Sequence, residues 1–194
     1  LMEGDILITA PSAGAKRNKL NQVTSGFIID TKSQETYLLS DYRFKVLENL
    51  LRNIGDEQVI IWCNYHKEFE VIQDMLGDRC ACVYGKVRIE DKNKNIKAFK
   101  EGKVQYLVAN PASADKGLTL TNTRFAIYFS MNDSLELFEQ SADRIYGDIS
   151  KQAHRCTYYI IQAKGTIDEV IYKSIKNKGD VSMAILNHLK GGLQ

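Results

Sequence analysis

The run Val59-Ile60-Ile61-Trp62-Cys63 restricts the fold more than any other feature of this sequence. Five apolar residues in a row cannot form an alternating strand with one wet face. They read as a strand buried on both sides, and such strands belong to parallel sheets covered by helices. Similar runs repeat the signal at Cys80–Tyr84, Val104–Ala109, Phe125–Phe129 and Thr157–Ile161. Between them lie segments with helical spacing. Phe44, Leu47, Leu50, Leu51 and Ile54 mark one, with Ser40 as the expected N-cap and Gly55 as its end. Phe69, Ile72, Met75 and Leu76 mark the next, and Ile89, Ile96 and Phe99 a third. Ser134–Ile145 also reads as helical. Ile167, Val170, Ile171 and Ile175 predict another helix, and Val181–Leu189 a separate last one. Strands alternating with helices of this length give right-handed crossovers, hence an α/β fold with a mostly parallel central sheet between two helical layers.

Upstream of Ser40 the pattern is irregular. Pro11-Ser12-Ala13-Gly14 reads as a loop, Lys16–Ser25 as a short helix ended by Gly26, and Phe27–Asp30 as a short apolar run. We therefore divide the chain into a lead-in segment, 1–39, and a domain, 40–194. Leu1 ahead of Met2 is what a piece of a longer protein, or a tag remnant, looks like. At 44% hydrophobic and 26% charged residues the composition is that of one globular domain, large enough to stand without disulfides or metal. No run approaches a membrane span and no signal segment is visible, so a cytoplasmic protein with no membrane partner is expected. Cys63, Cys80, Cys82 and Cys156 form no C-x-x-C pair, and His66, His154 and His188 lack ligand spacing. Free thiols and no metal site are expected.

The net charge of +2 decides nothing, but its distribution does. Between Lys86 and Lys103, seven basic residues face three acidic ones, a local excess of +4. A solvated helix face and a phosphate-facing patch both fit that excess. Ligands of parallel sheets gather at the carboxyl ends of the strands. The loops to read are therefore Asn64-Tyr65, Gly85-Lys86, Asn110–Gly117, Ser130–Asp133 and Ala163–Gly165.

Three of these neighbourhoods form an ordered set. Val108-Ala109-Asn110-Pro111 runs into small residues and Gly117-Leu118-Thr119-Leu120. Ser134-Leu135-Glu136 leads to Gln140-Ser141-Ala142-Asp143-Arg144-Ile145. Gly165-Thr166-Ile167-Asp168-Glu169 reads as a helix start, with Thr166 and Glu169 as a capping box. Together with Tyr128–Ser130 and Thr157–Tyr159, they resemble the later motifs of Swi/Snf-type superfamily-two ATPases, particularly the compact versions common in phages and prophages. Tyr84-Gly85 with Ile96–Gly102, and Leu20–Phe27, extend the resemblance over roughly residues 18–178.

This resemblance implies a RecA-like, three-layer α/β/α domain: the C-terminal motor lobe of a DNA-dependent translocase. ATP and Mg2+ would serve the intact protein, held mainly by an N-terminal RecA-like lobe of the same parent chain. This fragment would require neither and would be inactive alone. No phosphate-binding G-x-x-x-x-G-K-[ST] string occurs, and Phe27-Ile28-Ile29-Asp30 lacks the second carboxylate of a magnesium site. By the same resemblance Arg144 would be the arginine finger and Gln140 would orient its loop or touch nucleotide. Asn110, Asp115 and Gly117 would sense nucleotide, while Asn64, Tyr65, Lys86 and Lys116 would meet the backbone of duplex DNA without reading sequence.

Two departures stand out. The family carries a second arginine three residues after the first, where this chain has Gly147; Tyr146 replaces the neighbouring His. Arg155 reads as the start of the last strand and is a poor substitute. Asp115-Lys116 puts a charged pair where the family has small residues or His. The lost arginine keeps open a non-catalytic nucleic-acid-binding or protein-interaction module on the same fold. The Q-x-x-x-R string argues against a third reading, the nucleotide-sugar-binding half of a transferase.

Overall fold

The computed structural model describes residues 10–114, 119–146 and 155–191, the last twelve as backbone only. Helix α1 (Ala13–Thr24) precedes a two-stranded antiparallel sheet of β1 (Phe27–Ile29) and β2 (Thr36–Leu38). Then come α2 (Tyr42–Ile54), β3 (Val59–Trp62), α3 (His66–Leu76), a 3-10 turn at Gly77–Arg79, β4 (Cys80–Val83) and α4 (Ile89–Lys100). After them run β5 (Tyr106–Ala109), a 3-10 turn at Pro111–Ser113, β6 (Phe125–Tyr128), α5 (Leu135–Tyr146), β7 (Thr157–Ile160) and α6 (Ile167–Gly191).

The main sheet has the order β4-β5-β3-β6-β7, and every neighbouring pair is parallel. The apolar run expected to be buried on both faces is the central strand, and Val59–Cys63 are all 0% exposed. Its pleat divides the core in two. Val59, Ile61 and Cys63 pack with Phe44, Leu47 and Leu51 of α2 and Phe69 and Ile72 of α3. Ile60 and Trp62 pack with Phe99 of α4 and Ile145 of α5 on the other face. The result is the three-layer sandwich expected from the alternation. Cys63 and Cys82 are free and buried, Cys80 and Cys156 free and half-buried. Among the described residues, no helix is long and apolar enough to cross a membrane.

Local details differ from the sequence reading. The N-cap of α2 is Asp41; the Ser40 hydroxyl accepts from the Tyr42 N–H, one residue ahead of the helix. The segment beyond Ile167 is one continuous helix, where two were expected, the second over Val181–Leu189. A single interior glycine costs a helix only about 1 kcal/mol. Here Gly179 passes Leu135 of α5 closely enough that an added Cβ would lie 3.8 Å from its Cδ1. Thr166 Oγ1 accepts from the Asp168 N–H as an N-terminal cap, but the acid tied into the core is Asp168 rather than Glu169.

The lead-in packs onto the main domain. Gly26, at φ 93°, turns the chain out of α1, and its carbonyl accepts from the N–H groups of Leu39 and Ser40. The Arg17 guanidinium pairs with Asp133 at 2.5 Å, Asn21 Nδ2 donates to the Met131 carbonyl, and Thr24 Oγ1 donates to Asp168.

Candidate functional site

All five parallel strands end at one edge, so the loops after residues 63, 83, 109, 128 and 160 meet there. Three of these ends are stitched together by side-chain amides. Asn110, after β5, donates from Nδ2 to the Cys63 carbonyl at 3.1 Å, and its Oδ1 accepts from the Ala112 N–H, capping the 3-10 turn. Asn64, after β3, donates from Nδ2 to the Ser130 carbonyl at 2.8 Å and accepts from Asn132 Nδ2 at 3.0 Å. Both asparagines were expected to face ligands. Their amides are instead spent on neighbouring strand ends, which fixes the edge as one rigid platform. A small cleft opens between this platform and α5, lined by Asn64, Pro111, Ser130, Asn132, Leu137 and Ser141.

Beneath the platform lies an acid that helical spacing does not reveal. Glu68, in the first turn of α3, is 0% exposed. Its Oε2 accepts from the N–H of Asn64 at 2.9 Å, from the N–H of Tyr65 at 3.1 Å and from Ser130 Oγ at 2.7 Å. With Tyr65 it forms a capping box for α3. Burial outweighs these bonds and pushes the Glu68 carboxyl above its ordinary range. Among the described residues neither its Oε1 nor the buried Ser25 hydroxyl beside it makes a hydrogen bond of normal geometry, and Ser25, as a nearby donor, favours the ionised carboxyl. Tyr65 is not the Ser or Thr of a capping signature, so the sequence does not flag Glu68, and its burial comes from the segments after β6 and α1, remote in sequence.

Tyr65 faces the lead-in. Its hydroxyl donates to Asn18 Oδ1 at 2.6 Å, its ring meets Phe27 edge-on at 5.6 Å, and burial raises its phenol. Close by, Arg43 and Asp168 form a buried ion pair, their side chains 4% and 7% exposed. Arg43 also donates to the Phe129 carbonyl at 2.8 Å, and Asp168 accepts from Thr24 Oγ1 and the Ala163 N–H. Neither partner was legible as a core residue.

Lys86 is fully solvent-facing in the turn after β4. Of the seven cations between 86 and 103, Arg88, Lys97 and Lys103 are paired with Asp91 or Glu101. Lys86, Lys92, Lys94 and Lys100 form no ion pair among the described residues. Only Lys86 and the first turn of α4 lie at the carboxyl edge; the others follow α4 away from it.

On α5, Gln140 is half-exposed and donates to Glu136 Oε1, one turn back, at 2.8 Å. Arg144 was expected to project from the edge. It is 9% exposed, and its carbonyl accepts from the Leu120 N–H at 2.7 Å. Arg155 is exposed, two residues ahead of β7. Asp115, Lys116, Gly117 and Gly147 lie outside the described residues.

The family described as "Helicase conserved C-terminal domain" matches residues 42–146. Protein p41 of Acyrthosiphon pisum secondary endosymbiont phage 1 is 28% identical over 192 residues, which cover 96% of this chain and 40% of p41. The ATP-dependent RNA helicase DBP3 of Gibberella zeae is 25% identical over 112 residues, covering 56% of this chain and 19% of the helicase. The crystal structure of the C-terminal part of the Fun30 ATPase domain superposes with a TM-score of 0.59 at 17% identity, covering 69% of this chain and 44% of that one. That likeness speaks for the fold alone. The chain spans less than half the length of the curated relatives it matches.

Proposed function

The chain belongs to the helicase conserved C-terminal domain family and has its RecA-like fold, and from that premise we propose that it is the second motor lobe of a Swi/Snf-type, DNA-dependent ATPase. The observation that carries the proposal is the shared edge. Five parallel strands bring the motif-bearing loops to one side, and Asn64, Asn110 and Ser130 brace three of them against one another.

In such a motor, ATP lies between two lobes, with phosphates and magnesium on the first. The second lobe contributes a cation to the charge that develops on the transferred phosphoryl. Arg144 is our candidate for that cation, with Gln140 on the same helix as its neighbour. Because Arg144 is nearly buried, lobe closure must uncover it or bring the phosphates to the wall in which it sits. Asn110 and the segment through Asp115 and Gly117 would pass nucleotide state to the nucleic acid. Asn64, Tyr65, Lys86 and Lys116 belong to the DNA track in this reading, Asn64 and Tyr65 by holding its shape and the lysines by meeting phosphates. Division of the chain into a lead-in over 1–39 and the lobe over 40–194 is part of the same proposal.

The test uses the longer parent protein that carries the first lobe. Arg144→Ala should lower its DNA-stimulated kcat by about 10³–10⁵, the range for an arginine finger, with DNA affinity nearly unchanged. The 194-residue chain alone should show background ATPase and salt-sensitive duplex binding at about 10⁻⁴–10⁻⁶ M. Burial of Arg144 and the glycine at 147 favour a second reading, a nucleic-acid-binding module without catalysis. That reading takes over if the parent turns over ATP equally well with and without Arg144.

A further inference from the structure

The open end of the carboxyl edge carries an aromatic group that the motor reading leaves unused. Tyr84 is the residue after β4, the outermost strand of the sheet. One face of its ring is stacked on Phe69, with centroids 4.3 Å apart and 26° between planes. Phe69 is 1% exposed, so this support is anchored in the core. His66 meets the same ring edge-on at 5.2 Å. Tyr84 is only half-buried, and its hydroxyl has no hydrogen-bond partner among the described residues. A half-exposed ring held by a buried partner has lost much of its conformational freedom before any ligand arrives.

The surroundings select the occupant. Glu70, an acid close to this turn, is paired with Lys67 at 3.0 Å and also feels the charge of Lys86. Lys86, two residues beyond Tyr84 in the same turn, forms no ion pair among the described residues and faces solvent. A cation beside an open aromatic face suits a base next to its own phosphate. Bases inside a duplex are stacked on one another and cannot offer a face, so the ligand needs an unpaired base. We propose that Tyr84, backed by Phe69 and His66, is a stacking platform for an unpaired base of single-stranded DNA, with Lys86 on the adjacent phosphate. The proposal rests on the nucleic-acid reading above and narrows it: the track ends on a single-stranded stretch or a junction.

The experiment measures binding of the 194-residue chain to a short fluorescein-labelled single strand and to a blunt duplex of equal length. Each is titrated at two salt concentrations. Tyr84→Phe keeps the ring. Tyr84→Leu keeps an apolar contact with Phe69 but offers no aromatic face, and thermal unfolding checks that it folds. Tyr84→Leu should weaken single-strand binding roughly fivefold to a hundredfold, the range for one base stacked on an aromatic side chain. Tyr84→Phe should bind as the parent does, and duplex binding should change less than twofold in either variant. An unchanged single-strand affinity in folded Tyr84→Leu overturns the platform while leaving the nucleic-acid reading intact. Equal losses on both ligands overturn it too, because the residue then acts through the backbone track. If the parent binds neither ligand at either salt concentration, the nucleic-acid reading falls and the platform with it.

Discussion

Asp168→Ala should be among the most damaging single changes in this chain. The carboxylate is nearly buried and receives Arg43 from α2, Thr24 from α1 and the Ala163 N–H ahead of α6. Removing it leaves the Arg43 guanidinium buried beside Phe129 with only a backbone carbonyl as partner. Breaking a buried ion pair from one side costs about 3–5 kcal/mol, because the remaining charge is uncompensated. That is a large share of the roughly 5–15 kcal/mol that holds a domain together. For a domain of this size it corresponds to a fall in Tm of roughly 6–20 °C. Urea unfolding followed by the fluorescence of Trp62, the one tryptophan and 0% exposed, reports the loss directly. The double replacement Arg43→Met with Asp168→Leu removes both charges and should recover part of the stability. It should still fall about 1–3 kcal/mol short, since the Ala163 N–H and the Thr24 hydroxyl lose their acceptor. A cost below about 1 kcal/mol for Asp168→Ala, with an unchanged urea slope, would refute the argument that this pair locks α1, α2 and α6 together.

Glu68→Gln should leave stability at neutral pH unchanged or improved, because an amide supplies the same acceptor and a donor toward Ser25 without a charge. The parent's raised carboxyl favours folding in its protonated form, so that contribution is complete below the ordinary value of 4.5 and is lost as pH rises through the folded-state value. Urea midpoints from acid to neutral pH should show that loss in the parent and not in Glu68→Gln; parallel curves would mean that Glu68 is ionised in its pocket. Gly26→Ala should cost more than about 2 kcal/mol, since φ is 93° and the new Cβ would lie 2.2 Å from the Ser40 carbonyl oxygen. Hydrogen exchange at the Leu39 and Ser40 amides, which bond to Gly26, would report it, and protection equal to the parent's would contradict it. Asn110→Ala removes the cap of the Pro111–Ser113 turn and the bond to Cys63, and should lower stability by about 1–3 kcal/mol in the same urea assay; a change inside experimental error would mean the strand ends hold without it.

What the sequence makes legible here follows from what each residue depends on. Val59–Cys63 reads correctly because burial on both faces is written into five consecutive side chains. Helix α5 reads correctly because Ser134 caps it, its carbonyl and hydroxyl both accepting bonds from the first turn. The β1–β2 pair does not read, since three-residue strands carry too little pattern. Their connection rests on Asp30 Oδ1 accepting from the Lys32 and Ser33 N–H groups and on Gln34 at φ 61°. Glu68, Arg43 and Asp168 fail to read for another reason. Each is a charged residue in or beside the first turn of a helix, where a solvated position is the ordinary expectation. Among their partners are residues 62 to 144 positions away in the chain.

The contacts of α1 also decide from which side the edge can be reached. Asp168 holds Thr24, Asp133 holds Arg17, and the Met131 carbonyl holds Asn21, so α1 lies against the loops after β6 and β7. Tyr65 closes the gap after β3 through Asn18 and Phe27. The ends of β4 and β5, with Tyr84, Lys86 and Pro111, receive no bond from the lead-in among the described residues. A ligand that follows the carboxyl edge therefore meets a covered half and an uncovered half, and Lys86, which forms no ion pair among the described residues, lies in the uncovered one.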